Sequence, residues 1–443
     1  MKKSQKKAFL PGAGLLRDEG KALREATPRR SHGEWKVPAR RRDPVEVLVE
    51  SSRGRLAELL PVRYGRMIES PFAFFRGAAA IMAYDLAGTP ASGIRVQACG
   101  DCHLMNFGIF ASPERRLLFD INDFDETLPA PWEWDVKRLA ASFAIASLEN
   151  GFNRRDAGEA AAEAVRSYRE RIWEYAEMTA LEGWYSRIEA EEVEAKLGRT
   201  SRPNHADPEV VDEGNGEAKI ADKPPLIFHV HSKKDGGLAD QVRASMGQYR
   251  ESLAADRRTL IDRYRVVDAA MKVVGIGSVG TRCAIVLMKA APRDTLFLQW
   301  KEARASVLEP YAGKSVYRHT GERVAVGQRV MQSASDVFLG WTHGPLGRQY
   351  YVRQLRDGKV KIAVDDYRPA EMKQLAGFCG WALARAHARS GQAARISGYL
   401  GQNEAFDEAV REFALTYAGV NEADHAALTR AVRQKRVQAA MAK

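Results

Sequence analysis

Gly100-Asp101-Cys102-His103-Leu104-Met105-Asn106 and Phe119-Asp120-Ile121-Asn122-Asp123-Phe124-Asp125-Glu126 are the two stretches on which the reading of this chain turns. The first follows an alternating, strand-like run from Ile94 to Cys99. It precedes two apolar runs, Phe107–Phe110 and Leu117–Ile121, which flank Ser112-Pro113-Glu114 and predict a hairpin. An Asp and an Asn five positions apart in one tight loop can serve one site. The carboxylate can accept the proton of a hydroxyl nucleophile, and the amide oxygen can ligate a hard cation. The second stretch packs four carboxylates into seven residues. They repel one another unless a cation compensates, and Mg²⁺ takes such oxygen ligands. Loop, hairpin and acidic motif in this order form a phosphoryl-transfer layout.

A second constellation lies far downstream. Val273-Val274-Gly275-Ile276-Gly277-Ser278-Val279-Gly280 contains G-x-G-x-x-G, and the β-rich run Thr281 to Met288 follows it. A dinucleotide fold would place a helix there, whereas strand, glycine turn and strand suit a loop over nucleotide phosphates. Glycines let backbone N–H groups reach phosphate without a Cβ in the way. Taken alone, the motif reads equally well as a tight hairpin turn. Leu296-Phe297-Leu298-Gln299-Trp300-Lys301 is an apolar strand ending in a lysine, placed where a compact ammonium can offset phosphate charge. Glu309 and Glu322 are candidate partners for Lys301, while Val324 to Asp336 carries Gln328 and Gln332 instead.

The acidic half resembles the aminoglycoside-phosphotransferase branch of the kinase-like superfamily. Asp101, His103 and Asn106 match its GDxHxxN loop, Asp123-Phe124-Asp125-Glu126 its metal motif, and Asp135 in Trp134-Asp135-Val136 its distal structural aspartate. The resemblance implies Asp101 and His103 as catalytic residues and Asn106, Asp123 and Asp125 as Mg²⁺ ligands. Asp120, at a strand end, competes for the metal role. Gly275, Gly277, Gly280 and Lys301 would hold the phosphates of ATP. The order is permuted: the catalytic loop precedes the glycine loop, and Leu383-Ala384-Arg385-Ala386-His387-Ala388 resembles a helix that ordinarily leads into the catalytic loop. From about Asp43 to residue 415 the chain is similar to the bacterial domain-of-unknown-function family number 2252. Arg63-Tyr64-Gly65-Arg66-Met67, the stretch Ser70 to Gly77, Trp134 to Leu139, Lys301-Glu302-Ala303 and Gly327-Gln328-Arg329 carry that similarity alongside the two acidic stretches. Arg66 and Arg76 lie within it and could bind phosphate or form structural ion pairs.

Composition sets the limits. The chain has 443 residues, 45% of them apolar, which is enough for a large core. No run of about 18 apolar residues predicts a membrane span. Four cysteines do not make a disulfide framework, which fits a reducing cytoplasm, and the basic start lacks the features of an export signal. Cys99-Gly100-Asp101-Cys102-His103 is formally C-x-x-C-H, but haem attachment needs export and zinc needs two more spaced ligands; buried thiols explain it better. Net charge is +11, and residues 1–43, with thirteen Lys/Arg against five Asp/Glu, supply most of it. They read as a flexible basic tail that can touch nucleic acid or an anionic surface.

These readings predict an α+β, protein-kinase-like, two-lobed fold in circularly permuted order. Residues 44–268 form a helical lobe with the catalytic and metal-binding loops, and 198–225 a mobile loop within it. Residues 269–356 form a small antiparallel β lobe, and 357–443 return to the helical lobe. The expected function is ATP-dependent phosphotransfer to a small-molecule hydroxyl with Mg-ATP between the lobes. Nucleotidyl transfer on the same fold, and a non-catalytic nucleotide-binding or scaffold protein, are the alternatives.

Overall fold

Alternation of apolar side chains along 265–302 produces three antiparallel strands, Arg265–Lys272, Cys283–Ala291 and Asp294–Glu302. The computed structural model describes residues 12–198, 208–212, 218–229, 237–355 and 360–440. Gln349–Gln354 and Gly340–His343 extend the sheet beyond Asp294–Glu302, and Ile227–Phe228 adds to the edge at Arg265–Lys272, giving six strands. Cross-strand partners share a face. On the outer face Ala284, Val286, Met288, Leu296, Leu298 and Trp300 pack with Val242, Tyr249 and Leu253. On the inner face Ile285, Leu287, Phe297 and Ala270 pack with Ile220 and Leu355.

The β lobe therefore begins before residue 269. Helices Leu238–Glu251 and Ala255–Ile261, expected in the helical lobe, contribute Val242, Tyr249 and Ile261 to the outer face of the sheet. Helical periodicity identifies the apolar stripe but not the surface that covers it.

The larger lobe surrounds helix Trp132–Glu149, which is buried on nearly every side. Arg154–Glu177, Pro369–Ala388 and Ala405–Arg433 pack on it, so segments from before and after the β lobe share one core. Trp132 stacks on Tyr168 with centroids 5.6 Å apart and planes 3° off parallel. Two smaller sheets sit at the junction with the β lobe. One pairs Arg95–Ala98 with Leu128–Pro131, and the other orders Val360–Lys361, Phe107–Ala111 and Leu117–Ile121, the expected hairpin. Asp43 accepts the Val45 N–H at 2.8 Å, and Pro44 opens helix Pro44–Ser51.

The basic start is not a free tail over its described part. Residues 1–11 lie outside the described residues, but helix Ala13–Ala26 packs along Ala393–Leu400. The two backbones nearly touch: a Cβ at Gly20 would sit 2.0 Å from the Arg395 carbonyl oxygen, and one at Gly398 2.1 Å from that of Arg17. Arg24 donates to the Tyr399 carbonyl at 2.8 Å, Arg29 to that of Leu400, and Arg41 bridges Asp85 and Asp424 at 2.7 Å each. Charge counting missed this because the helix-end carbonyls that take Arg24 and Arg29 carry no letter in the sequence, and the carboxylates that take Arg41 lie 44 and 383 residues away. Of the expected mobile loop, 199–207 and 213–217 lie outside the described residues. Val210–Asp212 and Ala218–Ile220 pair as a short hairpin, and Ile220 is buried. Among the described residues no helix is long and apolar enough to cross a membrane.

Candidate active site

Strand Arg95–Ala98 delivers the chain into Gly100, whose φ of +82° favours glycine. A Cβ there would lie 2.4 Å from the Glu126 carbonyl oxygen, so the two acidic stretches run side by side. Asp135, at the start of helix Trp132–Glu149, accepts the N–H groups of Cys99 (2.7 Å) and Gly100 (3.0 Å). His387 Nε2 approaches the same carboxylate at 3.2 Å, and Tyr168 hydroxyl meets its Nδ1 at 2.9 Å. Asp135 thus holds the loop in place from below.

On that loop Arg138 Nε donates to Asp101 Oδ1 at 2.7 Å. Burial raises the Asp101 carboxyl above its ordinary value despite the opposing pull of Arg138. Asn106 Nδ2 donates to the Asp101 carbonyl at 2.7 Å, which orients the amide and reserves Oδ1 as an acceptor. His103 Nε2 stands 3.9 Å from Asp101 Oδ2, beyond hydrogen-bonding distance. Burial, then Arg138 and Arg76, hold the imidazole well below its usual pKa, so it is a neutral wall of the site.

The Asp125 N–H donates to Asp123 Oδ1 at 3.1 Å. Asp125 also accepts from Lys301 Nζ, from Tyr351 hydroxyl at 2.7 Å and from Ser278 hydroxyl at 3.3 Å. Burial and the neighbouring Asp125 raise Asp123. Burial also opposes ionisation of Asp125, but Lys301, with Tyr351 and Arg353, more than offsets it and the carboxyl is lowered. Asn106 Oδ1 and the two carboxylates offer hard-oxygen donors of the kind that fits Mg²⁺.

Asp120 is elsewhere. It is fully buried, accepts two hydrogen bonds from Arg385 Nη2 (2.7 and 2.8 Å), and takes the N–H and hydroxyl of Ser333 (2.8 and 2.7 Å). It is not placed to ligate a metal in the site: both faces of strand Leu117–Ile121 are buried, and a buried arginine already balances its charge.

Lys301 has neither Glu309 nor Glu322 as partner. It pairs with Asp125, and helix Thr320–Met331 instead sends Arg323 to the carbonyls of Asp125 and Arg304, at 2.7 Å each. The glycine loop is pinned by its own carbonyls. Arg63 Nη1 binds Gly277 O (2.6 Å), Arg66 Nη1 binds Gly275 O (2.6 Å), Arg55 Nη1 binds Val279 O (2.7 Å), and the Leu56 N–H binds Gly280 O (2.8 Å). The N–H groups of Gly277 and Ser278 donate to no acceptor among the described residues.

A cavity of about 270 Å³ lies between these parts. Asp101, His103, Asn106, Asp123 and Asp125 line one side, and Gly275, Gly277 and Ser278 the other. Lys301 and Gly280 stand behind this lining. Arg55, Arg63, Arg76 and Arg304 also line the cavity. Sequence reading noticed only Arg76 among them. Arg63 sits in a stretch already singled out and Arg304 follows Lys301-Glu302-Ala303, so the signal was present but unassigned. Cys99, Cys102 and Asp135 lie within 4.8 Å of one another, fully enclosed. Both Asp135 oxygens are already bonded to backbone N–H groups, and burial raises both thiols, so the cluster reads as buried structure.

No curated protein and no solved structure matches the chain. The model of the family described as "Uncharacterized protein conserved in bacteria (DUF2252)" matches residues 55–431, which include every lining residue of the cavity but Ser51. With most of its length covered, the chain belongs to that family.

Proposed function

We propose that this protein is an Mg-ATP-dependent phosphotransferase, with a circularly permuted kinase-like fold, that acts on a small-molecule hydroxyl. The convergence of Asp101, Asn106, Asp123 and Asp125 with the glycine loop on one cavity carries the reading, because these groups come from parts of the chain some 170 residues apart. The order of parts also supports it: strand, glycine loop, strand and lysine strand, then helix Thr320–Met331, two strands, and a crossover at Leu355 into the helical lobe.

Asp101 Oδ1 is occupied by Arg138, which leaves Oδ2 for the acceptor hydroxyl. The hydroxyl oxygen forms a bond to the γ-phosphorus, its proton passes to Oδ2, and the bond to the β-phosphate oxygen breaks to release ADP. Free N–H groups at Gly277 and Ser278 suit phosphate oxygens. Asn106, Asp123 and Asp125 would hold Mg²⁺, which offsets phosphate charge. Lys301 keeps Asp125 ionised for that task. Most of the catalysis is then positioning and charge stabilisation. The reading has a steric requirement: Ile220 and Leu355 cover the inner face of the sheet beside Gln299, so the base enters only if strand Ala218–Ile220 yields.

Calorimetry with Mg-ATP tests the reading on wild type, Asp123→Asn and Lys301→Ala. Expected is binding that needs Mg²⁺ and weakens at least tenfold in each variant. No binding to folded wild type would overturn the reading, as would transfer of a nucleotidyl group to an acceptor.

A further inference from the structure

The arginine charge around the cavity is unbalanced. Arg55, Arg63, Arg76 and Arg304 have no carboxylate within salt-bridge distance among the described residues, although Asp101, Asp123 and Asp125 line the same cavity. Arg76 makes no side-chain hydrogen bond there either, and its Nε is buried without a partner. The Nε atoms of Arg55 and Arg63 are also buried and unpartnered, and Arg63 is only 2% exposed. A buried guanidinium without an anion is destabilising, and clustering adds mutual repulsion. The arginines show this strain: burial and then neighbouring arginines push Arg55 down to about 8, and burial pushes Arg63 down to about 10. The fold holds Arg63 in place through the carbonyls of Gly277 and Gly77 at 2.6 and 2.9 Å, so the cluster cannot relax into solvent.

Nucleotide phosphates do not account for all of this charge. In the phosphotransfer reading they lie against the glycine-loop N–H groups, where Arg55 and Arg63 brace the loop through the carbonyls of Val279 and Gly277, and the carboxylate-bound cation is their counter-charge. Arg76 lines the cavity together with Asp101, whose carboxylate is the strongest negative influence on it. Asp101 is where an acceptor hydroxyl must sit.

We infer that the acceptor is itself a phosphate monoester, an alcohol whose phosphate is held by Arg76 with Arg55 and Arg63 while its hydroxyl meets Asp101. The inference rests on the phosphotransfer reading for the word acceptor, but not for the anion site. A phosphate dianion suits three guanidiniums better than a singly charged carboxylate does.

The test is calorimetric titration of inorganic phosphate, with and without a saturating non-hydrolysable ATP analogue and Mg²⁺. The proteins are wild type, Arg76→Gln and Arg76→Lys. Expected is phosphate binding in both conditions, weakened at least tenfold in Arg76→Gln, partly restored in Arg76→Lys, with analogue affinity unchanged in both variants. Phosphate bound only without the analogue would assign the arginines to the nucleotide and overturn the acceptor inference alone. Phosphate binding lost in Arg76→Gln while no protein binds the analogue would support the anion site and overturn the phosphotransfer reading instead. Acetate competing as well as phosphate would overturn the choice of a phosphate, and phosphate binding indifferent to Arg76 would overturn the site.

Discussion

Replacing Asp120 with asparagine separates a structural aspartate from a metal ligand. Arg385 is 0% exposed, and its Nη2 is held by both Asp120 oxygens and by the Met331 carbonyl at 2.7 Å. Its Nε and Nη1 have no partner. In Asp120→Asn the side chain keeps its shape but loses its charge and one acceptor. Arg385 and Ser333 then compete for a single oxygen, and the guanidinium stays buried without a counter-ion. Breaking such a pair from one side costs about 3–5 kcal/mol, a large part of the about 5–15 kcal/mol that stabilises a typical protein. With a urea m-value of about 3 kcal/mol/M or more for a chain this long, the midpoint should fall by on the order of 1 M. Two probes, one in each lobe, should be followed, because the lobes need not unfold together. The second readout is Mg²⁺-dependent nucleotide binding in the native baseline, expected within twofold of wild type. An unchanged midpoint combined with lost Mg²⁺ dependence would refute the buried-pair reasoning and return Asp120 to the metal site.

Two further predictions concern the docked N-terminal segment and acid stability. Gly398→Val places a side chain where the Arg17 carbonyl already sits, costing about 1–3 kcal/mol of overpacking or more. Limited proteolysis should then cut within 12–43, and equal cutting of wild type would show that this segment is not docked. His32, bonded to Tyr399 hydroxyl at 2.7 Å, is pushed down to about 2 by burial and secondarily by Lys137. Below its unfolded value of about 6.5, the unfolded state binds a proton that the folded state refuses. Stability is therefore lost as pH falls from 6.5 toward 2, at up to about 1.4 kcal/mol per pH unit for this group. Urea midpoints between pH 6 and 4 should fall less steeply in His32→Asn, and an unchanged slope would sink the assignment.

Legibility divides along physical lines. The strand, turn and hairpin around Gly100 to Glu126 were readable because local periodicity and turn chemistry fix them, and the expected hairpin is present. The strands flanking Gly275 to Gly280 and the lysine at the end of Asp294–Glu302 were readable for the same reason.

What local pattern could not supply was which surfaces meet. The apolar run that identified Leu117–Ile121 as a strand did not say that Asp120 faces Arg385 across 265 residues of chain. No motif predicted that Lys301 would take Asp125 as its partner, or that Arg323 would replace a helical glutamate. The arginines of residues 1–43 read as tail charge, Arg66 and Arg76 as phosphate ligands or structural ion pairs, and Arg55 and Arg63 carried no assignment. Folding brings Arg24, Arg29 and Arg41 to helix ends and buried carboxylates, and Arg55, Arg63 and Arg76 to the cavity. Propensity and periodicity act over a few residues, so the mixed α+β class, the local elements and the residue types available for chemistry are already legible in the order of amino acids. The partner of each charge is set by folding, because burial and counter-charge depend on contacts between distant segments.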